Sequence, residues 1–172
     1  MTKPPIYVAR KIPEVGLDLL RQQAIVRLHE GNLPPTRDEL LRGVAGCVGI
    51  LSLLSDRIDS EVFDAAGSEL TVVSNFAVGT NNIDVAEAKR RGIAVGNTPD
   101  VLTDATADIA VSLLLAVARR MKQGARAVEE GQWKTWEPLG WIGLDLADKT
   151  LGIVGMGRIG EAVARRLWGG WQ

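Results

Sequence analysis

The sequence has one cysteine, Cys47, and one histidine, His29, among its 172 residues. A lone cysteine excludes an internal disulfide, and with a single histidine it leaves no Cys/His set for a zinc site, so no metal is expected. Cys47 lies in the apolar run Cys47-Val48-Gly49-Ile50-Leu51, where it is expected as a buried spectator thiol. An excess of one charge is also missing. Twenty Lys and Arg stand against 21 Asp and Glu, a net charge of -1, which argues against nucleic acid or an anionic membrane as partner. No stretch approaches the ~18 uninterrupted apolar residues of a membrane span, and Met1-Thr2-Lys3-Pro4-Pro5 does not read as a signal peptide, so a cytoplasmic location is expected. Aromatic residues make up only 5% of the chain, and three of its five tryptophans fall between residues 133 and 141.

What the chain does contain is 46% hydrophobic and 24% charged residues, the balance of a globular protein. Its length suits one domain or two small ones, at about 100 to 200 residues per domain. Short β-type runs alternate with helical patterns: Ile6 to Ala9 then Glu14 to Gln23, Ile25 to Leu28 then Arg37 to Arg42, Val48 to Leu53 then Ser60 to Ala66. The rhythm continues with Leu70 to Val73, Asp84 to Arg91, and Ile93 to Val95. This alternation predicts βαβ units and a mostly parallel sheet covered on both faces, an α/β domain complete by residue 97.

Asn97-Thr98-Pro99-Asp100 breaks the pattern, because proline restricts both its own backbone and that of the residue before it. A long helix is expected next, capped by Thr103 or Asp104, with Ile109, Leu113, Ala116, Val117 and Met121 at helical spacing. The apolar stretch Ile109 to Ala118 predicts burial on more than one side. Residues 131 to 149 read as an irregular arm carrying Trp133, Trp136 and Trp141, either plugging a core or meeting a partner.

Thr150 to Val154 reads as a buried strand running into Gly155-Met156-Gly157-Arg158-Ile159-Gly160, and a helical pattern follows to Leu167. In such a loop Gly155 permits the tight turn, Gly157 lets a pyrophosphate approach the backbone, and Gly160 lets helix and strand pack closely. The free N–H groups at the helix start then face the anion. The strand before and the helix after are the context that makes a glycine pattern specific.

Several motifs occur in a fixed order: Ser74-Asn75-Phe76-Ala77-Val78-Gly79-Thr80-Asn81-Asn82-Ile83-Asp84, then Arg91-Gly92-Ile93, Asn97-Thr98-Pro99, Ala105-Thr106-Ala107-Asp108, and the glycine loop. Together they resemble the D-isomer-specific 2-hydroxyacid dehydrogenases. Leu53-Leu54-Ser55-Asp56 and Asn97 to Asp104 are most similar to the glyoxylate/hydroxypyruvate reductase branch. The resemblance extends over nearly the whole chain and implies a flavodoxin-like substrate domain in residues 1–97. Residues 98–172 would hold a linker helix, a dimerisation arm and the first βα unit of a truncated Rossmann domain. It further implies that the amides of Val78 and Gly79 hold a substrate carboxylate, a role suited to a turn whose N–H donors converge, and that Leu54 lines the substrate pocket. NAD or NADP would meet Val78, Thr106, Gly155, Gly157, Arg158, Ile159 and Gly160. A homodimer through residues 104–145 is also implied.

The family's arginine, acidic residue and proton-transferring histidine are expected beyond Gln172, so no catalytic residue is assigned and this chain alone is expected to be inactive. His29, in Arg27-Leu28-His29-Glu30, is expected at or near the surface. The residue that would choose between NAD and NADP lies about 20 residues past the glycine loop, which leaves the choice open. The ending Trp168-Gly169-Gly170-Trp171-Gln172 does not continue the family's pattern and reads as a frameshifted or shortened product. Gly169 would cap the last helix, and residues 150–172 would be poorly anchored without a second copy. The alternative reading is a non-catalytic module that binds a dinucleotide or dimerises, or an inert product.

Overall fold

The structure, a computed structural model, describes residues 2–168. It comprises two compact units, the first ending at Asp100 and the second beginning at Val101. The first holds β1 (Pro5–Val8), α1 (Glu14–Gln23), β2 (Ile25–Leu28), α2 (Arg37–Val44), β3 (Gly49–Leu53), α3 (Ser60–Ala66), β4 (Val72–Phe76), α4 (Val85–Arg90) and β5 (Ala94–Gly96). All strand pairs are parallel, in the order β2-β1-β3-β4-β5. This is the flavodoxin-like order, whose sheet growth reverses between β1 and β3 and leaves a crevice beyond the carboxyl ends of the strands.

Local chemistry fixes where the helices start. The Thr36 hydroxyl accepts from the N–H of Glu39 while the Glu39 carboxylate accepts from the N–H of Thr36 at 2.8 Å, a complete capping box for α2. Asp59 and Asp84 cap α3 and α4 through their side chains. Behind the sheet, Tyr7, Val44, Ile50, Val62, Phe63 and Val73 are buried together. Cys47 is fully buried and free, and burial pushes its thiol pKa up, as suits a spectator.

The expectation of a sheet covered on both faces holds at β1, where Tyr7 and Val8 are both buried, but not at β4. Val73 and Asn75 are buried, but Val72 and Phe76 on the opposite face are 39% and 50% exposed among the described residues. β4 also lies further along the chain than the expected Leu70 to Val73, so Ser74, Asn75 and Phe76 are strand residues.

The second unit contains α5 (Thr103–Ala118), α6 (Met121–Glu129) and α7 (Arg158–Trp168). The single long helix expected through Met121 is instead two. The carbonyl of Ala118, which a continuing helix would offer to Lys122, accepts from the N–H of Leu144 at 2.6 Å, and Arg120 turns left-handed at φ 53°. Neither Thr103 nor Asp104 caps α5. Leu102 occupies that position, with no side-chain hydrogen bond. Burial on more than one side is absent too: only Ala107 and Ala118 of α5 are buried, and Ile109, Leu113 and Val117 are 59 to 78% exposed among the described residues.

The buried strand expected at 150–154 is not formed. A strand exists only by pairing its N–H and C=O groups with a neighbour, and among the described residues this segment has none; Val154 is fully exposed. Loose anchoring does not extend to α7, however. Ala162 is buried and Arg166 bridges to α5, with Nε 2.5 Å from Asp108 Oδ1 and Nη2 3.0 Å from Asp104 Oδ1. The expected cap Gly169 and the ending Gly170-Trp171-Gln172 lie outside the described residues. No helix among the described residues is long and apolar enough to cross a membrane.

Candidate functional site

At the carboxyl end of β3 the chain leaves the sheet through Leu54, which is 72% exposed and so is not a core residue. The next strand end carries the turn Ala77-Val78-Gly79-Thr80. Beneath both loops lies a polar cluster inside an apolar sheet. Ser52 and Asn75 face each other across the β3–β4 register, both fully buried, and the Ser52 hydroxyl donates to Asn75 Oδ1 at 2.9 Å. Asn75 Nδ2 donates to the carbonyl of Gly79 at 2.8 Å and to Asn82 Oδ1 at 2.9 Å. Asn82 Nδ2 in turn donates to the carbonyls of Leu53 and Asp56, at 3.0 and 2.9 Å. Asp56, itself buried, accepts from the N–H of Leu53 at 2.8 Å and lies 3.7 Å from Arg10, in the loop that follows β1. Burying such groups costs several kcal/mol unless each is paired, and here the pairing stitches the β3 loop to the β4 turn.

Three successive carbonyls of that turn are occupied. Ala77 O accepts from the N–H of Thr98 at 2.9 Å, Val78 O from Asn97 Nδ2 at 2.7 Å, and Gly79 O from Asn75 Nδ2. Among the described residues, the N–H groups of Val78, Gly79 and Thr80 donate to nothing. Gly79 does not need a left-handed conformation; a Cβ placed on it would meet open space. Gly79 is exposed and Val78 half-buried.

The glycine loop of the second unit divides its labour by position. Gly155 has φ +92°, a conformation that residues with a Cβ rarely adopt. A Cβ on Gly160 would overlap the Gly155 carbonyl oxygen, whereas a Cβ on Gly157 would meet nothing within 4 Å. The chain therefore bends at Gly155, presents open backbone at Gly157, and packs tightly at Gly160 where α7 begins. That is the donor-rich, side-chain-free surface a diphosphate requires, so these residues fit the phosphates of a dinucleotide. Arg158 opens α7, and Ile159 is half-buried beside a shallow apolar hollow lined by Ala110, Leu114, Val154, Gly160 and Val163. Thr106 is exposed on the first turn of α5.

His29 is half-buried, with Nε2 3.2 Å from the carbonyl of Leu33. It follows edge strand β2, three strands from β4, or about 14 Å at the usual strand spacing. That places it away from the Val78-Gly79 turn. Trp133, Trp136 and Trp141 are 55%, 77% and 41% exposed, so none plugs a core among the described residues. The guanidinium of Arg120 lies 6.0 Å from the Trp141 ring centroid.

Sequence reasoning assigned nothing to Ser52, Asp56, Asn75, Asn82 or Asn97. The available signal was Ser52 and Asn75 inside apolar strands: a polar residue at an inward-facing position of a strand must have a partner, and two such residues on adjacent strands are each other's first choice.

Residues 6–163 match the family of D-isomer specific 2-hydroxyacid dehydrogenases, over its catalytic domain. A glyoxylate reductase of Korarchaeum cryptofilum is 49% identical over 168 residues, covering 97% of this chain and 50% of its own length. The human glyoxylate reductase/hydroxypyruvate reductase is 46% identical over 164 residues, covering 94% and 50%. The chain thus spans about half the length of the curated relatives it matches. Among solved structures, a protein of Thermus thermophilus superposes with a TM-score of 0.89 at 48% identity, covering 94% of this chain and 52% of that one. An NADPH-dependent glyoxylate/hydroxypyruvate reductase of Sinorhizobium meliloti, in complex with NADP and malonate, gives 0.73 at 35% identity, covering 97% and 50%.

Proposed function

This chain belongs to the D-isomer specific 2-hydroxyacid dehydrogenase family, and on that premise we propose that it carries the recognition parts of an NAD(P)-dependent reductase of small 2-oxo acids such as glyoxylate and hydroxypyruvate. The same enzyme would run in the oxidising direction on glycerate. Residues 1–97 would act as the substrate domain, and residues from 98 onward as linker helix, dimerisation arm and the glycine loop with the helix that opens the cofactor domain.

The observation that carries this reading is the glycine loop, bent at Gly155, open at Gly157 and closed at Gly160. Gly155, Gly157, Arg158, Ile159 and Gly160 would hold the dinucleotide by its diphosphate, with Thr106 and Val78 as further cofactor contacts. The bound nicotinamide would supply the hydride. The chain's own residues bind and orient: the Val78 and Gly79 N–H groups, without acceptors among the described residues, would take the substrate carboxylate, and exposed Leu54 would give the pocket an apolar wall. No group of this chain is assigned to proton transfer, because its one histidine, His29, is bound to Leu33 at a distant strand end. The chain alone is then inactive.

Binding tests the reading directly. NADH or NADPH should raise the melting temperature of the chain, since a ligand that binds only the folded form stabilises it, while glyoxylate and NADH mixed with the chain should show no oxidation of the cofactor. A melting temperature unmoved by either nucleotide would remove the cofactor half of the proposal.

A further inference from the structure

The carboxylate reading above leaves open why the Val78-Gly79 turn should present its N–H groups outward, and the geometry points to a cause outside the turn. In a trans peptide the N–H of one residue points opposite to the C=O of the residue before it, and no cis peptide occurs among the described residues. Fixing a carbonyl inward therefore fixes the next N–H outward. Gly79 O is held by buried Asn75, Val78 O by Asn97, and Ala77 O by the backbone of Thr98. The paired N–H groups are those of Thr80, Gly79 and Val78 in that order, and these are the three without acceptors among the described residues.

We propose that Asn75 and Asn97 are positioning residues: by occupying the carbonyls of Gly79 and Val78, their side-chain amides turn the N–H groups of Thr80 and Gly79 outward, beside that of Val78, as donors for one carboxylate. The inference rests on the carboxylate reading and adds the Thr80 N–H to the site. Asn82 serves Asn75, accepting its second amide hydrogen and anchoring the pair to the carbonyls of Leu53 and Asp56. Asn97 has a further consequence. It stands directly after β5, within the first unit, so the turn's donors depend on the path the chain takes as it leaves that strand.

Asn97 is exposed and Asn75 fully buried, which makes them complementary probes. Sodium glyoxylate is titrated into the 172-residue chain and into Asn97→Ala, Asn75→Asp and Ser52→Ala, following the backbone amide NMR signals of Val78, Gly79 and Thr80, with melting temperature measured alongside. Asn75→Asp keeps the acceptor that Ser52 uses but has no amide hydrogen for Gly79 O, and Ser52→Ala removes a hydroxyl from the same cluster without touching a turn carbonyl. The expected result is saturable shifts of all three amides in the unaltered chain. Binding should be roughly tenfold weaker in Asn97→Ala at unchanged melting temperature, and nearly normal in Ser52→Ala even though it melts earlier. Should Asn75→Asp fail to fold, Asn97→Ala decides alone. Unaltered affinity in Asn97→Ala, with shifts retained in the parent chain, overturns the positioning role and leaves the carboxylate site standing. No shift in the parent chain removes both.

Discussion

Gly160 faces the carbonyl oxygen of Gly155 so closely that any Cβ at residue 160 would overlap it. The turn and the start of α7 are thereby locked into one unit, and the three glycines of the loop should fail in different ways when replaced. Gly160→Ala pushes the helix off the turn. Gly155→Ala forces a left-handed backbone, at a cost of about 1–2 kcal/mol. Both should lower the melting temperature and abolish stabilisation by nicotinamide nucleotides. Gly157→Ala should melt like the parent chain in buffer, because its Cβ has room, yet lose the nucleotide effect. A full nucleotide shift in Gly157→Ala would exclude this loop as the diphosphate site.

In the first unit Gly43 on α2 lies against the Tyr7 ring, where an added Cβ would overlap the ring edge. Tyr7 is buried in the sheet core and cannot swing aside. Gly43→Ala should therefore destabilise by about 1–3 kcal/mol, the usual result of overpacking, outweighing the helix propensity gained. Urea unfolding of the two proteins measures the difference, and a midpoint equal to or above the parent's would contradict the packing described.

Tyr7 also sets an alkaline limit. Burial, and then the negative charges of Asp56 and Glu39 and a Cys47 thiolate, push its phenol from 10.0 to about 12. The unfolded phenol ionises near 10, so ionisation favours the unfolded chain at high pH. This contribution to stability is intact below about pH 10 and is lost as pH rises from there through about 12. Tyr7→Phe should remove that part of the alkaline slope, read as the urea midpoint between about pH 9 and 12. An identical slope in both proteins would assign the effect elsewhere.

The second unit leaves Ile109, Leu113 and Val117 exposed at four-residue spacing along α5, one apolar stripe rather than scattered side chains. If residues 104–145 pair with a second copy, as proposed from the family resemblance, sedimentation should show a concentration-dependent dimer. Leu113→Glu should shift it to monomer without lowering the melting temperature of the first unit. A parent chain that stays monomeric at high concentration would rule out this dimer.

Much of this architecture was legible residue by residue. Alternating apolar runs and helical patterns marked the strands and helices of the first unit because both periodicities are local. Pro99 falls next to the division of units at Asp100, and the spacing Gly155, Gly157, Gly160 marked the bend that leads into α7. The split between α5 and α6 was not legible, because what ends α5 is the N–H of Leu144, arriving from an arm distant in sequence. Nor was the fate of Thr150 to Val154, whose β pattern has no neighbour to pair with among the described residues.

The sequence by itself determined the alternation of strands and helices in the first unit, which residues are small enough to let backbone approach backbone, and to which family the chain belongs, since each follows from local chemistry and motif order. Only the tertiary structure decided that Ser52, Asn75 and Asn82 meet beneath the turn and that Asn97 reaches Val78. A hydrogen bond needs its two groups within about 3 Å and suitably aligned, and for residues that far apart along the chain only the parallel register of β3 and β4 and the path after β5 bring that about.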